Sequence, residues 1–248
     1  MLPIAILAGG LATRLRPVLV NKPKSLIEVA GEPFLAHQLR LLRSQGVSSV
    51  VLCVGYLGEQ IQEFAGDGRK FDLDITYSWD GANPRGTGGA LRNAVPLLGP
   101  EFFVIYGDSY LTCSFSEVQH AFLASGKPAL MTVFRNRNQW DHSNVEFSSG
   151  TIRSYNKTDR TDRMQHIDYG LGVLTAQALN SVPYDASCDL AEVYGSLLRE
   201  GQLAGFEIND RFYEVGSFAG VEALSKLLST SRGHMIGGTD ELHFPVSD

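Results

Sequence analysis

Residues 4–16 read Ile-Ala-Ile-Leu-Ala-Gly-Gly-Leu-Ala-Thr-Arg-Leu-Arg, an apolar run that changes into glycines and then arginines. The run Ile4–Leu7 is typical of a buried strand, and the glycines predict a tight turn after it. Glycines allow close backbone approach to a phosphate, and Arg14 adds a bidentate cation. A turn that needs glycine only for its shape is the other interpretation. The pattern is neither a G-x-G-x-x-G fingerprint nor a Walker A loop.

Helical and strand patterns alternate downstream of this turn. Residues 33–45 predict a helix that starts at a proline and stops before Gly46. Helices are also predicted at residues 59–64 and 87–98. The β-branched run 50–54 and the runs 75–78 and 102–106 predict strands. Strands that alternate with helices imply βαβ units, so we expect an α/β fold with a mostly parallel sheet.

The second half of the chain has a more mixed pattern. We predict strands at 129–133, 145–147, 152–155 and 167–174, and helices at 189–200 and 217–228. Residues 229–248 contain few large apolar side chains, so we expect a loosely attached C-terminal tail there.

The overall composition excludes several classes of protein. The net charge is −6 and no block of Lys and Arg occurs, so we expect no nucleic-acid partner. No apolar stretch approaches the roughly 20 residues of a membrane span, and the start of the chain lacks the basic region of a signal peptide. Three separated cysteines favour neither a disulfide framework nor a zinc site. We therefore expect a cytoplasmic protein without a membrane partner.

The motifs, taken in order, resemble the sugar-1-phosphate nucleotidyltransferase family. Residues 8–16, followed by Lys22-Pro-Lys24, are similar to its G-G-x-G-T-R-L…P-K signature, with Ala12 where the family usually has Gly. The resemblance continues through residues 31–34, 86–89, 107–108, 157, 169–170 and 212–216, and so spans residues 3–228. It implies a Rossmann-like three-layer fold in a single domain, residues 1–228. The nucleotide-binding part would be about 1–112 and the sugar-phosphate-binding part about 113–228.

The resemblance implies a nucleotide site in the first part of the chain. Its residues would be Leu7, Ala8, Gly9, Gly10, Thr13, Gly86, Thr87, Gly88 and Gly89. The glycine loop 86–89 opens a predicted helix, whose N–H groups and dipole would face the nucleotide. Arg14 and Lys24 would be catalytic, because cations beside the α-phosphate offset the charge that builds up during attack.

The family pattern also implies a magnesium site and an acceptor site. Asp108 follows an apolar strand, where open α/β sheets bind ligands, although a turn or cap residue is an equal alternative from the residues alone. Its implied partner for Mg²⁺ is Glu214, where the family more often has Asp. Lys157 would hold the phosphate of the sugar, and Asn144, Tyr169 and Gly170 would contact its hydroxyls.

The expected reaction needs no general base, because a sugar 1-phosphate is largely ionised at pH 7. The protein would then position a nucleoside triphosphate and the sugar 1-phosphate, and neutralise charge. Rival interpretations are a non-catalytic nucleotide-sugar-binding module and, with no fingerprint to support it, a nicotinamide-dependent oxidoreductase. Either way the chain could form a homo-oligomer.

Residues 85–90 and the short N-terminal motif most resemble the manno-heptose 1-phosphate guanylyltransferase branch. We therefore expect GTP and a heptose or mannose-like 1-phosphate as substrates. Uridylyl transfer to a sugar such as N-acetylmuramate 1-phosphate is the alternative, followed by cytidylyl transfer. Backbone groups of residues 85–89 are the expected contacts to the base.

Overall fold

The apolar runs of the sequence form strands in the structure, a computed structural model that describes residues 1–10, 21–81, 83–184 and 187–236. The strands are Ile4–Leu7 (β1), Glu28–Val29 (β2), Glu32–Pro33 (β3), Ser49–Val54 (β4), Asp74–Trp79 (β5), Glu101–Tyr106 (β6), Ser109–Leu111 (β7), Ala129–Phe134 (β8), Val145–Ser148 (β9), Thr151–Tyr155 (β10), Ile167–Thr175 (β11), Leu203–Ile208 (β12) and Phe212–Glu214 (β13). The α-helices are Phe34–Ser44 (α1), Gly58–Ala65 (α2), Gly86–Leu98 (α3), Phe115–Ser125 (α4), Leu190–Arg199 (α5) and Phe218–Ile236 (α6). Short 3-10 helices form at Lys24–Leu26, Arg69–Phe71 and Ala176–Leu179.

Seven of these strands form the central sheet, in the order β12-β8-β11-β6-β1-β4-β5. Strand β1 is parallel to both β4 and β6, and β4 is parallel to β5. Strand β11 is antiparallel to both of its neighbours, β6 and β8, whereas β12 is parallel to β8. The sheet is therefore mixed but mostly parallel, which confirms the predicted fold class.

Helices cover both faces of the sheet, and strand β1 shows how its side chains divide between them. Ile4 and Ile6 are fully buried in the core that includes the apolar side chains of α1 and α4. Ala5 faces the opposite core, with the apolar side chains of α3 and α5. Successive residues of a strand point to opposite faces, so a run that is apolar at every position requires helices on both sides. Three layers result.

Two parts of the second half differ from the prediction. Helix α4 was not predicted, although Ser114 caps it by accepting a hydrogen bond from Glu117 N, 3.3 Å away. Helix α6 runs past the predicted end at residue 228, to Ile236. The hydroxyls of Ser229 and Thr230 donate to the carbonyls four residues earlier, so these polar side chains are satisfied by the backbone of the helix itself. The predicted tail therefore begins as helix, and residues 237–248 lie outside the described part.

Candidate active site

Two cavities open at the carboxyl ends of the parallel strands. Leu7 of β1 pairs in register with Cys53 of β4 and Tyr106 of β6, so β1 and β6 end at the same level, one residue before the end of β4. The first cavity has a volume of about 390 Å³. It is lined by Leu7, Ala8, Gly9, Gly10, Lys24, Ser25, Cys53, Asp80, Pro84, Gly86, Thr87, Ala90, Tyr106, Gly107, Asp108 and Gly216. Most of the expected nucleotide-binding residues therefore line one cavity, at the edge of the sheet where α/β proteins bind ligands.

The second cavity is larger, about 1100 Å³, and adjoins the first. Its walls include every expected acceptor residue: Asn144, Lys157, Tyr169 and Gly170. The loop residues Trp140, Asp141 and His142 line it as well. Lys24, Tyr106 and Asp108 line both cavities, so the two spaces meet at these side chains.

Asp108 lies at this junction, in a turn that is fixed from several directions. Its Oδ2 is 2.6 Å from Lys24 Nζ, and both side chains are partly exposed. The preceding Gly107 passes so close to β1 that a Cβ there would lie 2.8 Å from Leu7 O. The helix α1 supports the turn from below, because Gln38 Nε2 donates to Tyr106 O and to Ser109 O, at 3.0 and 2.7 Å.

Gln38 was missed in the sequence, where it reads as one polar residue on a helix. Its side chain is fully buried, and both protons of its amide bond the carbonyls that flank the Gly107-Asp108 turn. The signal in the sequence was a polar residue at a position that the helical period places on the apolar face of α1. Gln38 is thus a positioning residue for Asp108.

Glu214 is brought beside Asp108 by the short antiparallel pair β13 and β7. Glu214 pairs with Ser109, and Val215 N donates to Asp108 O at 2.9 Å. Its carboxylate accepts bonds from Gly216 N and from Ser217 Oγ. A Cβ at Gly216 would meet both the Glu214 carboxylate and Lys24 Nζ, so a larger residue there would require these two side chains to shift.

The two carboxylates fit what a magnesium ion requires from a protein. Mg²⁺ binds through one or two carboxylates and completes its shell with phosphate oxygens and water. Asp108 Oδ1 has only a long contact of 3.4 Å to Ser109 Oγ, and each Glu214 oxygen keeps a second lone pair. In the described part of the chain, no group of three or more His, Cys, Asp or Glu side chains could hold a metal ion. A metal here would rely on two protein ligands and on the substrate.

The glycine loop at the start of α3 differs from the expectation. The N–H groups of Gly88 and Gly89 donate to Cys188 O, at 2.8 and 3.2 Å, instead of facing the cavity. Gly86 has a φ of 67°, and a Cβ there would lie 2.5 Å from Cys188 O. Thr87 Oγ1 accepts from Leu190 N at 2.7 Å. Glycine is therefore required here for packing against the segment before α5, which is a reason that the sequence pattern did not reveal.

Lys157 lies at the wall of the second cavity, held by a carboxylate of the same segment. Its Nζ is 3.1 Å from Asp189 Oδ1, and both side chains are partly exposed. Asp189 also caps α5 by accepting from Ala191 N at 2.8 Å. Burial alone would raise the pKa of Asp189, but the bonds from Ala191 and Lys157 outweigh it and lower that pKa. The pair fixes the Lys157 side chain at the wall of the second cavity.

The residues expected to contact sugar hydroxyls form one wall around Asp168. Asn144 Oδ1 accepts from Asp168 N at 2.9 Å, and Asp168 Oδ1 accepts from Gly170 N at 3.0 Å. Burial raises the pKa of Asp168, against the opposing effect of Lys157. Tyr169 is 2% exposed and packs with Phe212, so its ring is a core residue. Asp168 was not among the expected residues, although it precedes the Tyr169-Gly170 motif directly.

Asp80 is the second carboxylate that the sequence interpretation missed. It follows β5 directly and lines the first cavity only. Its Oδ2 lies 3.1 Å from the position that a Cβ on Gly9 would take, so it reaches over the glycine turn. Burial raises the pKa of Asp80, while Arg85 counteracts part of this shift. A carboxyl directly after a parallel strand was the available signal, the same one that identified Asp108.

Thr13 and Arg14 lie in residues 11–20, outside the described part, so their expected roles are not assessed in the structure. Ala12 lies there too. No helix in the described part of the chain is long and apolar enough to span a membrane.

A mostly parallel sheet with two cavities that meet at a lysine–carboxylate pair defines a protein with space for two adjoining ligands. The family of nucleotidyl transferases matches residues 4–150, and the chain belongs to that family.

The individual relatives and solved structures share less than 30% of their residues with this chain. The chain is 27% identical over 217 residues to the catalytic subunit beta of mannose-1-phosphate guanylyltransferase from Xenopus tropicalis, a match that covers 85% of this chain. The match covers 60% of that protein's own length. Among solved structures, HddC from Yersinia pseudotuberculosis in complex with GMP-PN has a TM-score of 0.76 at 22% identity, covering 92% of this chain and all of that one. The inositol-1-phosphate CTP transferase of T. maritima has a TM-score of 0.75 at 21% identity, covering 97% and 98%. The structural likeness shows the fold.

Proposed function

We propose that this protein transfers a nucleotidyl group from a nucleoside triphosphate to a sugar 1-phosphate and releases pyrophosphate. The observation that carries the proposal is the junction of the two cavities at Lys24, Tyr106 and Asp108. A transfer between two substrates requires that each has its own space and that their reacting phosphates meet. The family membership and the names of the relatives support this reaction class.

The chemistry needs positioning and charge neutralisation. The acceptor phosphate attacks the α-phosphorus, the bond to the β-phosphate oxygen breaks, and pyrophosphate leaves with the electron pair. Lys24 lies at the junction and would stabilise the charge on the α-phosphate, while Lys157 would hold the acceptor phosphate. Asp108 and Glu214 would hold Mg²⁺, which supplies further charge neutralisation when bound. Arg14 remains a proposed second cation beside the phosphates.

We assign guanine as the base because of Asp80. A carboxylate accepts two hydrogen bonds side by side, and guanine presents N1–H and the N2 amino group in that arrangement. Uracil presents one N–H between two carbonyls, and cytosine places an acceptor nitrogen beside its amino group. Either base would bring oxygen or nitrogen lone pairs towards the partly buried Asp80 carboxylate. Lone pairs and a carboxylate repel each other, so binding of uracil or cytosine would be weaker than binding of guanine. The guanylyltransferase relative and the GMP-PN complex of HddC support the same base.

The acceptor in this proposal is a manno-heptose-like or mannose-like 1-phosphate. The likeness of residues 85–90 to the heptose branch and the mannose-1-phosphate guanylyltransferase relative support it. The second cavity, with a volume of about 1100 Å³, is large enough for a seven-carbon sugar.

The test is pyrophosphate release from GTP, UTP and CTP, each with a panel of sugar 1-phosphates and Mg²⁺. We expect GTP with a manno-configured acceptor to give the highest kcat/KM. A preference for UTP or CTP would overturn the guanylyl assignment alone. Binding of nucleotide sugars with no pyrophosphate release from any pair would instead favour a non-catalytic binding module.

A further inference from the structure

Three Lys and Arg side chains that line the second cavity have no part in the proposed transfer: Arg160, Arg211 and Lys226. Of these, Arg211 packs against aromatic rings. Arg211 directly precedes β13 and is half-buried. Its guanidinium carbon lies 3.5 Å from the ring centroid of Trp140 and 4.7 Å from that of Tyr213. Contact with two rings fixes the plane of a guanidinium and leaves its N–H groups, which point outward in that plane, for a ligand.

Arg211 differs from the lysines of the same cavity in lacking a counter-charge. Lys24 pairs with Asp108, Lys157 with Asp189, and Lys226 with Glu222. Among the described residues, no carboxylate lies within 4.0 Å of Arg211, and its buried Nε–H has no acceptor. A half-buried cation without a partner is costly to keep, and an anionic ligand would remove that cost.

Arg211 also lies apart from Glu214, the proposed metal ligand. It is three positions before Glu214 in the chain, which at about 3.3 Å per residue of extended chain is about 10 Å between the two Cα atoms. Tyr213, which contacts Arg211, lies at the alternate position of the strand from Glu214. An anion bound by Arg211 would therefore lie on the Tyr213 side of β13 and not beside Glu214, so it would be a group other than the phosphate that reacts next to the metal.

We propose that the acceptor is a sugar 1-phosphate with a second anionic group, a carboxylate or a phosphate, bound at the edge of Arg211. The inference rests on the proposed transfer to a sugar 1-phosphate and specifies its acceptor further. Carboxylate and phosphate each present two acceptor oxygens side by side, and the guanidinium binds either group through paired hydrogen bonds.

The experiment compares three acceptors with GTP: mannose 1-phosphate, its 6-carboxylate (mannuronate 1-phosphate) and its 6-phosphate (mannose 1,6-bisphosphate). For the wild type we expect kcat/KM to be about 10- to 100-fold higher for one of the acidic acceptors, which is the range for a charge-assisted hydrogen bond. The acidic acceptor that is preferred identifies the group. In Arg211→Met the preference should disappear, while the KM for GTP and kcat/KM for mannose 1-phosphate stay within about twofold.

Two controls make the result specific. Lys226→Met removes a cation from the same cavity but one that Glu222 already neutralises, so it should leave the preference unchanged. Calorimetric titration of the three acceptors into wild type and Arg211→Met, without nucleotide, tests binding even if no turnover occurs.

Equal binding of neutral and acidic acceptors by the wild type would overturn the inference. So would an equal loss for all three in the variant, because Arg211 would then serve the anomeric phosphate or the fold. Acidic preference in binding, with no pyrophosphate release from any pair, would overturn only the proposed reaction.

Discussion

The two cavities are walled by different kinds of backbone. The first is lined by residues at or just after the carboxyl ends of parallel strands: Leu7, Cys53, Asp80 and Asp108. The second is lined by loops such as 140–144, by the short strand β13 and by one side of α6. The strand register of a parallel sheet determines the positions of residues at the strand ends. The positions of loop residues depend on local hydrogen bonds, which vary from chain to chain. The nucleotide side should therefore be common to the fold, and the acceptor side particular to this chain.

Asp108 belongs to both cavities, and its loss should have the largest effect. Asp108→Asn replaces a carboxylate by a neutral amide, a poor ligand for Mg²⁺ that also loses the ion pair with Lys24. We expect kcat/KM for both substrates to fall by about 10³-fold. Steady-state kinetics and a thermal melt check this. Near-normal turnover in a folded variant would remove Asp108 from the reaction.

Lys24 and Lys157 should separate the two cavities by their kinetic effects. Lys24→Ala should lower kcat by about 10²-fold, because Lys24 lies at the junction and would act on the charge that develops there. Lys157→Ala should raise the acceptor KM by about 10-fold and leave the KM for the nucleotide unchanged. Kinetics with each substrate varied in turn distinguish them. A change only in acceptor KM for Lys24→Ala would place that lysine on the acceptor side.

Gln38 tests whether the junction needs support from the helix beneath it. Gln38→Met keeps the length of the side chain but leaves the carbonyls of Tyr106 and Ser109 without donors, so stability should fall by about 2 kcal/mol. Misplacement of Asp108 should weaken Mn²⁺ binding, measured by calorimetry, by about 10-fold.

The matched control is Gln45→Met, which removes a similar bond, to Phe115 N, away from the cavities. It should lower the melting temperature without changing Mn²⁺ binding. Equal effects of the two variants on Mn²⁺ binding would contradict a positioning role for Gln38.

Asp80 should give the nucleotide side a pH dependence. Because burial raises its pKa, Asp80 takes up a proton at a higher pH than an ordinary aspartate as the pH falls. Only the ionised form accepts hydrogen bonds from two N–H groups. Between about pH 7 and about pH 5, the loss of GTP affinity should therefore be a few-fold larger than the loss of UTP affinity. Asp80→Asn should weaken GTP binding and remove the difference in steepness. Parallel curves for both nucleotides in the wild type would show that Asp80 does not contact the base.

Sequence patterns located most strands of the sheet, and all four expected acceptor residues line the second cavity. The apolar runs before the Leu7 turn and before Asp108 predicted strand ends, whereas Lys24 was expected from the family resemblance. Asp80 follows a strand directly, as Asp108 follows β6, and was overlooked, whereas Gln38 was missed because its role depends on carbonyls distant in sequence. The purpose of Gly88 was misjudged for the same reason, since its partner is Cys188. Contacts of this kind arise from packing and leave no local periodicity.

The hydrogen bonds between the glycine loop and Cys188 have a consequence for the folding of the chain. The loop before α3 is closed by Cys188 and Leu190, about a hundred residues later, and β11 fits between β6 and β8 in the central sheet. Contacts between distant parts of a chain slow folding and make it cooperative. A fragment that ends before β11 would leave an edge of β6 open and the nucleotide loop unanchored. The two parts of the domain are therefore interdependent in folding, and neither would survive as a stable unit if a protease cut between them.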